Sequence, residues 1–66
     1  MTIKQSVINQ IAANDKVIML IAIACRTKAR NVENWISKND LRLTSAAALE
    51  VIRKELNLSD KQIFNS

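Results

Sequence analysis

The chain has 66 residues, enough for one domain (residues 1–66), and a domain this small needs a dense core or a partner to be stable. It contains no Gly, no Pro and no His, is 48% hydrophobic and carries a net charge of +4. That composition excludes hairpin-rich folds, leaves no histidine for catalysis or metal binding, and favours an all-α protein with a polyanionic partner.

Thr2 and Gln5 have the T-x-x-Q spacing of a capping box, which satisfies free amides at a helix start. Ile3, Val7, Ile8 and Ile11 follow on one side of a helix whose other side is Lys4, Gln5, Asn9 and Gln10. The pattern predicts a first helix from Ile3 to Ala13, structural in role and lying across the helix that comes next.

Asn14 offers a side-chain oxygen as an N-cap, and Asp15 places negative charge against the positive end of the helix dipole. From Val17 to Cys25 every residue is apolar, a run too short to cross a bilayer. It predicts a second helix enclosed on most sides by the others, the hub of the core. Cys25 is the lone cysteine and cannot form an internal disulfide, so a buried, reduced thiol is expected.

After Arg26, Thr27 and Lys28, the residues Ala29, Val32, Trp35 and Ile36 recur at helical spacing and define the inward face of a third helix, about residues 28–38. Trp35 belongs to the core on this reading. The opposite face carries Arg30, Asn31, Glu33, Asn34, Ser37 and Lys38, a mixture of long donors, amides and one acceptor suited to base edges. The small Ala22 stands ten residues before Val32 and thirteen before Trp35, the spacing of a helix-turn-helix whose second helix is locked against a small residue of the first.

On these residues the chain resembles the phage Cro and repressor family of small DNA-binding proteins, and Arg30-Asn31-Val32-Glu33-Asn34-Trp35-Ile36 is similar to the R-x-V-x-x-W-I recognition helices of that class. The resemblance implies a bundle of about five short helices containing a helix-turn-helix, with the third helix in the major groove. Base contacts are then expected from Lys28, Ala29, Arg30, Asn31, Glu33 and Asn34. Arg30 would pair with guanine and Asn34 or Asn31 with adenine, while Glu33 would accept from cytosine or steer Arg30. Phosphate contacts are expected from Lys16, Arg26, Ser37, Lys38, Arg42, Thr44 and Ser45. The chain departs from the family at two positions. Arg26 stands where glycine is usual, which predicts a differently shaped turn, and Lys28 is a poor cap, so Thr27 is expected to cap from one position earlier.

Lys38 to Leu43 reads as a loop with Leu41 and Leu43 tucked inward as anchors. Thr44 is the expected cap of a fourth helix, Ser45 to Asn57, with Ala48, Leu49, Ile52 and Leu56 inward and Glu50, Arg53 and Lys54 outward. The alanines 46–48 allow another helix to come close. Ser59 and Gln62 form an S-x-x-Q capping box for a last short helix, whose Ile63 and Phe64 close the core.

The charge is uneven. From Arg26 to Arg42 five basic residues face Glu33 and Asp40, a local +3, against +1 for the rest of the chain. The scattered carboxylates, the single cysteine and the lack of His and Gly-rich loops offer no catalytic pair, cofactor site or metal site. The expectation is therefore a cytoplasmic transcriptional regulator that binds double-stranded DNA, as a homodimer, with no membrane and no small-molecule substrate. The rival expectation is a helical protein-interaction module, such as an antitoxin, a phage adaptor or an assembly subunit, that does not bind DNA.

Overall fold

A computed structural model describes residues 2–64. The chain is an all-α bundle of α1 (Gln5–Ala12), α2 (Asp15–Ala24), α3 (Ala29–Lys38), a 3-10 turn (Leu41–Thr44), α4 (Ala46–Leu56) and α5 (Asp60–Ile63). α1 lies across α2, the two axes meeting at 97°. α2 is the hub, packing most extensively against α4 and then α3. Its Val17, Ile18, Ile21 and Ala22 meet Val7, Ile8 and Ile11 of α1, Val32 and Ile36 of α3, and Ala48 and Ile52 of α4 in one core that contains no buried polar residue among the described residues. No single helix among them is long and apolar enough to cross a membrane.

Several helix ends form as local chemistry requires. Asn14 caps α2 by accepting from the Val17 amide at 3.3 Å. Ser59 and Gln62 form the capping box of α5, with the Ser59 amide donating to Gln62 Oε1 at 2.9 Å.

Other ends differ from the sequence expectation because a distant segment wins. α1 begins at Gln5 rather than Ile3, and its N-cap residue, Lys4, makes no side-chain cap bond. Ile3 is instead held extended in an antiparallel bridge with Phe64, and the Lys4 amide donates to the Ile63 carbonyl at 2.7 Å. Pairing with residues 63 and 64 keeps Ile3 out of the helix that the Thr2–Gln5 spacing predicts. Ser45, not Thr44, caps α4, its hydroxyl accepting from the Ala48 amide at 3.3 Å. Thr44 belongs to the 3-10 turn, where its hydroxyl donates to the Leu41 carbonyl at 2.6 Å. That tight turn also separates the two leucines: Leu43 is fully buried, whereas Leu41 is 68% exposed and is no anchor.

The hub helix is less enclosed than its composition suggests. Met19 is 59% exposed and Ile23 69%, one turn apart on the same side of α2. Among the described residues α1, α3 and α4 wall the helix on three sides and leave the fourth, with Met19 and Ile23, open.

α2, α3 and α4 end alike. A left-handed residue, Arg26, Asn39 or Asn57, follows each, and the next amide bonds back to a carbonyl five residues earlier: Thr27 to Ala22, Asp40 to Trp35, Leu58 to Arg53. The turn between α2 and α3 therefore keeps the shape a glycine would give it, with Arg26 at φ 54°. Asn tolerates this region through its short polar side chain; Arg adopts it at a greater cost. Arg26→Gly is expected to raise unfolding free energy by about 0.5–1 kcal/mol, the relieved left-handed cost less the added freedom of the unfolded chain. Urea unfolding measures it, and a loss of stability would show that Arg26 carries no backbone cost.

Candidate nucleic-acid interface

α3 is pinned by Val32, fully buried, and Ile36, 8% exposed. These two residues fix which side faces outward. Lys28, Ala29, Arg30, Asn31, Glu33, Asn34, Ser37 and Lys38 are all exposed, so Ala29, expected on the inward face, lies outside the core at the first turn. Lys28 occupies the N-cap position without a side-chain bond. Thr27 does not cap in its place. Its hydroxyl accepts from Asn31 Nδ2 at 2.7 Å, which orients the Asn31 amide along the start of α3.

The outer face of α3 has two unlike flanks. On one, Asn31, Asn34, Trp35 and Lys38 line a polar cleft with Asp40 and Arg42. The Arg42 guanidinium sits over the Trp35 ring, 6.0 Å from its centroid, and the Arg42 amide donates to Asp40 Oδ1 at 2.9 Å. A second hollow shares Trp35 and Arg42 and adds Cys25, Ser45 and Ala47. The polar face of α3 is thus continuous with the N-terminus of α4 through Arg42. Trp35 is only partly buried, and besides its core contacts it acts as the platform on which Arg42 rests. Sequence reasoning treated it as core alone; the seven-residue step from Trp35 to Arg42, across a helix end, carries no periodic signal.

On the opposite flank, Glu33 and Ser37 share a hollow with Asp15, Ala12, Ile18 and Ile36. Ser37 therefore keeps company with two carboxylates and not with the Lys38–Arg42 cluster. Lys16 is also placed elsewhere: its Nζ pairs with Glu55 Oε1 on α4 at 3.5 Å. Arg26 is exposed in the turn before α3. Thr44 is half-buried with its hydroxyl engaged, whereas Ser45 is exposed at the start of α4, 3.8 Å from Cys25 Sγ. Asn39 ties this region to the amino-terminal segment, donating from Nδ2 to the Ile3 carbonyl at 3.1 Å.

The arrangement can present amides and a guanidinium from a rigid helix, flanked by cations and an exposed helix N-terminus. Among the described residues no cluster of His, Cys, Asp and Glu could hold a metal ion. Compared with protein-family models, curated proteins and solved structures, the chain matches none.

Proposed function

We propose that the chain is a sequence-specific DNA-binding regulator of the Cro and repressor type, laying α3 in the major groove of double-stranded DNA. The observation that carries this reading is the continuous strip from Asn31, Asn34 and Lys38 across Arg42 on Trp35 to Ser45 at the start of α4. A duplex seated on α3 meets base-reading side chains in the middle and phosphate-binding groups at the edge, the division of labour such interfaces need. Arg30 and Asn34 are the base readers, Asn31 assists from its Thr27 contact, and Glu33 discriminates on the acidic flank. Arg26, Lys28, Lys38 and Arg42 neutralise phosphates, with Ser45 and the α4 amides as neutral donors. Lys16 and Ser37 are left out, the first tied to Glu55 and the second set beside Glu33 and Asp15. One such helix reads only a few base pairs, so two copies on a two-fold site are part of the proposal.

Fluorescence anisotropy of a labelled random-sequence duplex across a salt series tests it. Four phosphate contacts per chain give a log–log slope near −3.6 for each bound copy, a loss of about a hundredfold per copy between roughly 50 and 200 mM salt. Arg42→Ala shallows the slope by about 0.9. On a selected site, Arg30→Ala costs about 1–3 kcal/mol and relaxes preference at one base pair. Absence of binding by folded protein at low salt would sink the reading. The remaining one would be the helical protein-interaction module, which the Glu33–Asp15 flank favours because carboxylates repel a phosphate backbone.

A further inference from the structure

The open side of α2 leaves an apolar surface uncovered. Ile23, with Met19 one turn before it, is flanked by Leu20 and Ala24, and across from them Ala47 and Val51 of α4 complete a groove. Glu50, Lys54 and Glu55 form its rim. The groove shares no lining residue with the cleft of Asn31, Asn34 and Arg42 and meets the hollow beside Ser45 only at Ala47.

The rim charges point to the occupant. Arg53 of α4 is bonded to Asp60 at 3.1 Å, and Glu55 is paired with Lys16. Glu50 and Lys54, one turn apart beside the groove, have no ion pair or hydrogen bond among the described residues. A helix carrying one free anion and one free cation a turn apart is its own complement when a second copy packs antiparallel to it, because a two-fold axis brings each charge opposite the other. The groove rim also lacks the positive excess of the Arg26–Arg42 segment, so two copies meet here without repulsion and a polyanion gains nothing.

We infer that this groove is the contact face of a two-fold homodimer, with α4 antiparallel to its counterpart, Ile23, Leu20 and Val51 in the centre, and Glu50 of each copy opposite Lys54 of the other. The association is read from α2 and α4 alone and does not depend on DNA binding.

Sedimentation equilibrium without DNA, from about 1 µM to about 500 µM, spans the range in which a small interface associates. The chains are wild type, Ile23→Lys, Glu50→Lys, Lys54→Glu, and an equal mixture of the last two. All three substitutions fall on the rim or at exposed positions, and a thermal melt confirms that each variant is folded. The wild type is expected to dimerise reversibly, and each single variant to dimerise at least about tenfold more weakly. The mixture should recover wild-type affinity, since the two altered surfaces complement one another. A wild type that stays monomeric throughout overturns the inference. A dimer indifferent to the charge reversals overturns it too, placing the interface elsewhere. Monomers that still bind duplex leave the DNA-binding reading standing, and dimers that ignore duplex remove that reading alone.

Discussion

Leu43→Ala is expected to lower the unfolding free energy by about 2–5 kcal/mol, while Leu41→Ala, two residues away, changes it by less than about 0.5 kcal/mol. Both leucines lie in the four-residue 3-10 turn between α3 and α4. The turn is set by Asn39 at φ 49° and by Asp40, whose carboxylate accepts from the Arg42 amide. In that geometry Leu43 points into the core at 0% exposure and Leu41 into water at 68%. A domain of this size has a total stability of roughly 3–10 kcal/mol, so the first change threatens folding and the second does not. Urea unfolding followed by far-UV circular dichroism measures both. Equal losses at the two sites would mean that the turn does not sort its side chains in this way. Leu43 also stands between Arg42 and Thr44, so its removal should loosen Arg42 from Trp35 and speed amide exchange across the turn before global unfolding.

Ile63→Ala should cost a comparable amount, about 2–5 kcal/mol, although Ile63 sits in a helix of only four residues. A short terminal helix ordinarily frays, with substitutions near zero cost. Here Ile63 is fully buried, its carbonyl accepts from the Lys4 amide, and Phe64 bridges to Ile3. The Ile3 carbonyl in turn accepts from Asn39 at the end of α3. Residues 3–4 and 63–64 thus clamp each other and the site-bearing helix. Ile3→Ala should be similarly damaging, and the double variant should lose less than the two losses together, by about 0.5–3 kcal/mol, because the two side chains share one environment. A cost below about 0.5 kcal/mol for Ile63→Ala would show that α5 is not clamped.

These two cases mark where local pattern stops being informative. The S-x-x-Q box of α5 and the Asn14 cap are legible because cap and amide lie within four residues of one another. The T-x-x-Q box at Thr2 is equally good as a pattern, yet the chain there pairs with residues 63 and 64, and no window of a few residues contains that competitor. Thr27 looks like a cap for α3, but its hydroxyl accepts from Asn31 Nδ2. Alternation at Leu41 and Leu43 suggests two anchors only until the backbone tightens into a 3-10 turn.

The candidate site divides in the same way. That α3 turns Arg30, Asn31, Glu33 and Asn34 outward follows from the spacing of Val32 and Ile36, because a 3.6-residue period gives an amphipathic stripe a direction. Which cations join that face does not follow, since Lys16 and Arg42 look alike in sequence. One is drawn to Glu55, 39 residues on, and the other is laid over Trp35.

By itself, the sequence determined the all-α class, the number and order of the helices, the polar face of α3 and the basic charge around it, all of which depend on composition and short-range periodicity. The tertiary structure alone decided which side of α2 remains uncovered and which charges are free to act. A run of apolar residues from Val17 to Cys25 has no preferred face, so only the placement of α1, α3 and α4 around it could leave Met19 and Ile23 in water.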